Sequence, residues 1–344
     1  MLRDALQKAA AGETLGADEA ERALDEIMEG TVSPAVTAAL LTSLRVRGES
    51  VGEIVGFARA MRRFAAKVEA PEDVVDTCGT GGDAKGTINI STAAAFVARG
   101  AGVVVAKHGN RAATSRAGSA DVLEALGAEI GLGPDEVGRC IKEVGIGFMF
   151  ARTHHPAMRF VAPVRAELPF RTIFNLLGPL TNPAGARRQL VGVFHGSYVR
   201  LVAKALRELG AEKALVVHGR DGLDEITVTG PTLVAEVSNG TVTEYELSPE
   251  RFGLPRSASD SLLGGDAYLN ARILKNVLSG EDQGAVRDVV LLNAGAAIYV
   301  SGLAPAIEEG VRLAEESIAN AAAGEALEDF VRATRRLAGI GGAV

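Results

Sequence analysis

Apolar residues recur at helical spacing through roughly the first 67 positions. Ala5, Leu6, Ala9 and Ala10 share one face, and Ala23, Leu24, Ile27 and Met28 another, as a 3.6-residue period requires. Ser33-Pro34 opens a third helix, since proline is preset for the first helical position, with Leu40, Leu41 and Leu44 inward. Val51 to Phe64 makes a fourth. No strand candidate interrupts this block. Its apolar faces exceed what four short helices hide among themselves, so they pack on the rest of the chain or on a second copy.

From about Glu72 the pattern becomes short apolar runs alternating with helices. Val74-Val75 reads as a strand that ends in a glycine-rich turn, followed by an Ala-rich helix from Ser91 to Gly100, with Asn89 or Ser91 as its cap. Val103 to Ala106, Ile146 to Phe150, Leu190 to Phe194 and Ala214 to Val217 are further strand candidates, and Ser119 to Leu126 is a capped helix. Such alternation predicts a largely parallel sheet covered on both faces. Val234 to Leu247, with Asn239-Gly240 at its centre, reads as a β-hairpin. After Asp266 the chain is mostly helical, most apolar from Val289 to Val300. Leu176 to Pro183 is too rich in proline and glycine for a helix and is a candidate crossing between domains.

Composition narrows the class of protein. The 344 residues suffice for one large or two ordinary domains. A net charge of −7, few aromatics and no tryptophan argue against nucleic-acid binding. Cys78 and Cys140 stand far apart and fit neither a disulfide framework nor a zinc site. No run reaches the length of a membrane span and Met1-Leu2-Arg3-Asp4 opens no signal peptide, so the cytoplasm is the expected compartment.

The residues able to do chemistry follow directly after apolar runs, where open parallel sheets bind ligands. In Asp76-Thr77-Cys78-Gly79-Thr80-Gly81-Gly82-Asp83 three glycines in four positions let backbone N–H groups approach an anion; a plain structural turn is the alternative. The spacing is neither Gly-x-x-x-x-Gly-Lys-Ser/Thr nor Gly-x-Gly-x-x-Gly. Asp224-Glu225, after a Gly-rich turn, suits Mg²⁺ bridged to a polyphosphate, or is a solvated acidic turn. Lys107 either neutralises phosphate or sits on an exposed loop, and His108 is a base, a hydrogen-bond donor or a structural imidazole. Arg165, among apolar neighbours, pairs with a substrate carboxylate or with an acid such as Glu167. His154-His155 has no third ligand at zinc spacing. No Gly-x-Ser-x-Gly elbow or Cys/His nucleophile is present. The pattern indicates a phosphorylated, Mg²⁺-complexed substrate and charge stabilisation in place of covalent catalysis.

Asp76 to Asp83, Asn89-Ile90-Ser91-Thr92, Lys107-His108-Gly109-Asn110-Arg111, Gly118 to Glu124, Arg171-Thr172-Ile173-Phe174-Asn175 through Pro183, and Asp224-Glu225 stand in one order. Together they resemble the anthranilate phosphoribosyltransferase family from the N-terminal helices to about residue 320. Pro169-Phe170 departs from it where a Gly-containing pair is expected. The resemblance implies a small helical domain, residues 1–68 with a returning segment near 165–185, and a larger α/β domain, residues 69–344, with a mainly parallel sheet flanked by helices. It implies transfer of a phosphoribosyl group from phosphoribosyl pyrophosphate to the amine of anthranilate, in tryptophan biosynthesis, by a homodimer joined through the N-terminal helices. It assigns Gly79, Gly82, Asp83, Thr87, Asn89, Ile90, Ser91 and Thr92 to the pyrophosphate end of the donor. Lys107, His108, Gly109, Asn110, Arg111, Ala112, Ala113, Thr114, Ser115 and Ser119 complete the donor site. Ser91, Asp224 and Glu225 would hold two Mg²⁺ ions. Gly79, Asn110, His155 and Arg165 would bind anthranilate, with Arg165 on its carboxylate, and His108 would line the acceptor's path beside His155. Lys107 and His108 are the expected catalytic residues, His108 by positioning. The related pyrimidine nucleoside phosphorylases, which need no carboxylate pair for magnesium, and a silent nucleotide-binding paralogue are the alternatives.

Overall fold

A computed structural model describes residues 2–112 and 116–340. Four helices open the chain: α1 (Leu2–Ala10), α2 (Ala17–Met28), α3 (Pro34–Arg47) and α4 (Val51–Phe64). Pro34 is the first residue of α3, as predicted. The Ser50 hydroxyl caps α4 by accepting the Glu53 N–H. Glu53 is fully buried, accepts the N–H groups of Leu15 and Ser50 at 2.8 Å each, and pairs with Arg47. A carboxylate thereby organises the corner where α1, α3 and α4 meet. Gly56 lets α2 approach α4 closely: a Cβ there would lie 2.2 Å from the Ala17 carbonyl oxygen.

The α/β part holds β1 (Val75–Gly79), α5 (Ile90–Gly100), β2 (Val105–Gly109), α6 (Ser119–Ala125), α7 (Pro134–Val144) and β3 (Ile146–Phe150). A returning stretch follows, with α8 (Ala151–His154), α9 (Ala162–Glu167) and α10 (Phe174–Leu177). Then come β4 (Arg188–Gly192), α11 (Ser197–Glu208), β5 (Lys213–Gly219), and the hairpin β6 (Thr232–Ser238) and β7 (Thr241–Leu247). Helices α12 (Ala267–Leu278), α13 (Ala285–Ser301), α14 (Ile307–Ala319) and α15 (Ala322–Leu337) close the fold. The sheet order is β3-β2-β1-β4-β5-β6-β7, parallel through β5 and antiparallel at β6 and β7. Asn239 and Gly240 both have positive φ, the type I′ geometry that an Asn-Gly hairpin favours.

Alternate residues of each strand serve different cores, as the two-residue period of a strand dictates. Leu215 and Val217 face α5 and α12–α15, while Ala214 and Val216 join the apolar residues of α1–α4, α10 and α11. The faces left over by the first four helices therefore pack largely on α11 and the returning stretch. Leu176 to Pro183 differs from expectation: α10 makes one helical turn and a 3₁₀ turn continues through Gly178–Leu180. Pro179 lies at the start of that turn, where an N–H is not needed. Strands β1 and β2 also run further than the apolar runs suggest, so Lys107 and His108 belong to β2 itself.

Replacing Gly56 by Ala should force α2 and α4 apart and destabilise the protein by about 1–3 kcal/mol in urea denaturation. Unchanged stability would mean that this close approach constrains nothing.

Candidate active site

The sheet order reverses between β1 and β4, and the crevice beyond the carboxyl ends of such strands is where open α/β sheets bind ligands. Glycines shape it. A Cβ on Gly79 would lie 2.6 Å from Asp224 Oδ2, and one on Gly192 would lie 1.5 Å from the Asp224 carbonyl oxygen. With hydrogens in those places, the Asp224 backbone seats directly on the strand ends. The loop after β1 then curls through positive φ at Gly81, Gly82, Ala84 and Gly86. The Gly81 N–H donates to Asp224 Oδ2 at 2.8 Å and the Ser91 N–H to Glu225 Oε1 at 3.2 Å. Backbone donors expected to meet an anionic ligand here hold these carboxylates.

Asp224 and Glu225 are buried, 9% and 8% exposed, so the solvated-turn reading is overturned. Burial, then the charge of Asp83, pushes the Asp224 carboxyl up to about 7. Burial, then Asp224, pushes Glu225 up to about 8. Two carboxyls that resist ionisation beside a hydroxyl, Ser91 Oγ, form a hard oxygen donor set that a divalent cation would relieve of its repulsion. No group of three His, Cys, Asp or Glu among the described residues is arranged to hold a metal alone. Mg²⁺ takes one or two carboxylates and completes its shell with water and substrate phosphates, and the Asp224–Glu225 pair supplies two such carboxylates.

Lys107 lies inside β2, 4% exposed, correcting the exposed-loop alternative. Its Nζ donates to the Thr77 carbonyl and, at 3.2 Å, to Ser91 Oγ. Burial lowers its pKa, and the carboxylate of Asp76 opposes that. Asp76 is fully buried and accepts the His108 N–H at 3.0 Å and Asn182 Nδ2 at 2.8 Å. His108 Nδ1 lies 3.1 Å from the Gly178 carbonyl; a carbonyl only accepts, so Nδ1 carries the proton and Nε2 presents a lone pair. Among the described residues that Nε2 has no partner, nor has Nε2 of His154 or His155. The rings of His108 and His155 are 5.0 Å apart. Burial, then its neighbour His155, holds His108 down at about 3; burial, then His154, holds His155 at about 4. Both are neutral at pH 7.

Arg165, on α9, stacks 5.5 Å above the Phe174 ring, and burial lowers its pKa. Among the described residues it forms no ion pair, with Glu167 or any other acid, so the bland alternative fails. Phe174 begins α10, which leads to Gly178 and hence to His108. Other expected residues are placed differently. The Ile90 side chain is in the core, leaving only its backbone near the loop. Asn89 is the N-cap residue of α5, one of the two expected, though its side chain makes no capping hydrogen bond, and Ser91 is already inside the helix. Asn89 Nδ2 instead donates to the Ala117 carbonyl at 3.1 Å. Thr87 bridges to Leu263, and the buried Thr92 Oγ1 has no partner. Asp83 Oδ1 accepts the Lys85 N–H at 3.1 Å. Arg111 is engaged by Asp121 at 2.8 Å and by Glu124. The Ala112 and Gly118 N–H groups both donate to Asp121 Oδ2, at 3.0 and 2.9 Å, which caps α6. Ser119, expected at the cap, is the first helical residue, and its Oγ donates to the exposed Asn110's carbonyl at 3.2 Å. Gly109 ends β2 with no room for a side chain against Ser119 Oγ. Ala113, Thr114 and Ser115 lie outside the described residues.

Sequence reasoning missed the supports. Asn293, fully buried in apolar α13, accepts the Ile226 N–H at 3.0 Å and donates to the Ile226 carbonyl at 2.8 Å, fixing the backbone just after Glu225. A lone amide in the most apolar stretch of the chain was the available signal. Asp76 and Asn182 were visible within motifs, but only the fold brings them together.

Residues 3–65 match the Glycosyl transferase family, helical bundle domain, and residues 71–326 its a/b domain. An anthranilate phosphoribosyltransferase of Rubrobacter xylanophilus is 79% identical over 99% of this chain and 100% of its own length. One from Rhodopseudomonas palustris is 55% identical over 94% of this chain and 95% of its own. The crystal structure of the Thermus thermophilus enzyme superimposes with a TM-score of 0.92 at 50% identity, covering 96% of this chain and 99% of that one. The Saccharomyces cerevisiae enzyme in complex with PRPP and Mg gives 0.89 at 30% identity, covering 97% and 98%. The chain belongs to the anthranilate phosphoribosyltransferase family.

Proposed function

We propose that this protein transfers the 5-phosphoribosyl group from phosphoribosyl pyrophosphate to the amine of anthranilate. The products are N-(5-phosphoribosyl)anthranilate and pyrophosphate, in the second step from chorismate to L-tryptophan. The observation that carries this reading is the buried Asp224–Glu225 pair held against the glycine loop, with Lys107 beside it. A nucleoside phosphorylase has no need of such a pair.

In this reading the loop from Gly79 to Thr92 receives the pyrophosphate, and Lys107 to Ser115 with Ser119 receives the phosphoribosyl part. Ser91, Asp224 and Glu225 would hold two Mg²⁺ ions, which neutralise charge on the departing pyrophosphate. Lys107, whose charge Asp76 supports against burial, would add positive charge where negative charge develops. Anthranilate's uncharged aromatic amine needs no strong base, so holding it against C1 of the donor supplies most of the effect, about 7–11 kcal/mol. The unpaired Arg165 faces its carboxylate. Neutral His108 and His155, each with a free Nε2 lone pair, accept hydrogen bonds from the amine side and orient it, with Gly79 and Asn110 completing the pocket. The helical part, residues 1–68 with the segment near 165–185, and the α/β part, residues 69–344, form the two walls. Val46, 83% exposed on α3, supports a homodimer through the N-terminal helices. No helix among the described residues is long and apolar enough to cross a membrane, and we assign the enzyme to the cytoplasm.

Anthranilate fluorescence should decay when phosphoribosyl pyrophosphate and Mg²⁺ are supplied, and EDTA should stop the decay; persistent signal with folded protein would reject the assignment. Arg165→Ala should raise the anthranilate KM about 10- to 100-fold, as loss of a charge-assisted pair predicts, and leave the donor KM within about twofold. Equal changes in both would sink the carboxylate role. Stability should depend on pH through the histidines. Their folded pKa values lie below the unfolded 6.5, so the stabilising effect is full above pH 6.5 and is lost as pH falls toward 4. Each contributes a slope of about 1.4 kcal/mol per pH unit in that window. Denaturation of His155→Gln between pH 6 and 4.5 should show a slope shallower by that amount; parallel slopes would refute the neutral-histidine assignment.

A further inference from the structure

The chain beyond the hairpin returns to the loop that follows β1. Thr87 pairs antiparallel with Leu263, the Ile88 N–H donates to the Leu262 carbonyl at 3.1 Å, and the Gly264 N–H donates to the Gly86 carbonyl at 2.9 Å. The contact is tight. A Cβ on Gly264 would lie 2.6 Å from Asn270 Oδ1, 2.9 Å from the Thr87 carbonyl oxygen and 3.0 Å from the Ile88 nitrogen.

Asn270 is on α12 and only 2% exposed, although the other inward residues of that helix, Ala271, Leu274, Val277 and Leu278, are apolar. A buried amide is costly unless its polar atoms are satisfied, and these are. Oδ1 accepts the Gly265 N–H at 2.7 Å, and Nδ2 donates to Asn89 Oδ1 at 2.9 Å. Asn89 Nδ2 in turn donates to the Ala117 carbonyl, beside the start of α6. The ends of the relay fix its direction: the Gly265 N–H demands an oxygen from Asn270, and the Ala117 carbonyl demands a nitrogen from Asn89.

We propose that Asn270 is a positioning residue for phosphoribosyl pyrophosphate, acting by orienting the Asn89 amide so that the loop after β1 is tied to the end of the loop after β2. Asn270 touches no substrate. It narrows the conformations of two loops that converge on one ligand, so that less ordering remains to be done on binding. The inference rests on the assignment of those loops to the donor.

The test uses the full chain and needs no turnover. Donor affinity in the presence of Mg²⁺ is measured by calorimetry for the wild type, Asn270→Ala, Asn270→Asp, Asn89→Ala and the double variant Asn89→Ala/Asn270→Asp, alongside KM for both substrates. Asn270→Asp keeps the volume and the acceptor for the Gly265 N–H but cannot donate to Asn89. The Asn89 amide then turns its NH₂ toward the new carboxylate and sets its oxygen against the Ala117 carbonyl. Both Asn270 variants should bind the donor about tenfold more weakly, the size expected for one lost internal hydrogen bond, with the anthranilate KM within about twofold. In the Asn89→Ala background Asn270→Asp should add nothing, which separates the relay from a general effect of the added charge. Wild-type donor affinity in Asn270→Asp, an additive loss in the double variant, or equal losses for both substrates would overturn the proposal. Should Asn270→Ala not fold, the isosteric Asp variant carries the test. Unchanged donor affinity in Asn89→Ala would overturn the loop assignment and the relay with it. A loss in Asn89→Ala with none in the Asn270 variants would overturn the relay alone.

Discussion

The absence of two side chains makes the site possible. Gly79 and Gly192 end adjacent parallel strands, and the space their missing Cβ atoms leave is filled by the backbone and carboxylate of Asp224. Any larger residue at either position would lift the Asp224–Glu225 segment away from the sheet. The N–H groups of Gly81 and Ser91 would lose their acceptors, and Ser91 Oγ would no longer stand between Lys107 and the acids. Sheet pairing, a close backbone approach and the electrostatics of the crevice thus follow from one steric condition.

What the approach brings together is a dense set of buried charges. Asp76 and Lys107 sit on neighbouring strands, almost without solvent, and Asp224 and Glu225 are buried at the same strand ends. Isolated burial of any one of them would be strongly unfavourable. Asp76 is held by a backbone N–H and the Asn182 amide, and Lys107 by a carbonyl and a hydroxyl. Burial, and then the charge of a neighbouring acid, makes Asp224 and Glu225 hold their protons more strongly than ordinary carboxyls. The imbalance lies where a cation and a polyphosphate would meet. Facing it are the uncharged rings of His108 and His155. The crevice therefore carries its buried charges and its uncharged imidazole rings as separate groups.

Much of this was legible along the chain because the signals were local. The Pro34 helix start, the short apolar runs of β3 and β5, and the Asn239-Gly240 turn each depend on a few neighbouring residues. The glycine loop and the acidic pair were legible as chemistry for the same reason. The errors came from contacts between distant segments. Lys107 looked like a loop residue because a lysine interrupts an apolar run, yet the strand continues and buries it beneath Ser91. Asn89 does hold the cap position of α5, but its amide is claimed by Ala117 and Asn270, residues 28 and 181 positions away. Arg111 is engaged by Asp121 and Glu124 of α6, a contact its own stretch of sequence did not announce. Asn293 and Asn182 could not be assigned at all, since an amide gives no periodic signal and its partner is decided by tertiary packing.

Helix α11 has a consequence for how the molecule comes apart. One side of it packs on α4, the other on β5 and β6, within a single continuous core that runs from Leu2 to Val237. The sequence division between a bundle and a sheet is therefore not an energetic division. Opening the four N-terminal helices would bare the face of α11 that packs on α4, so the bundle and the helix covering that face of the sheet are coupled in folding.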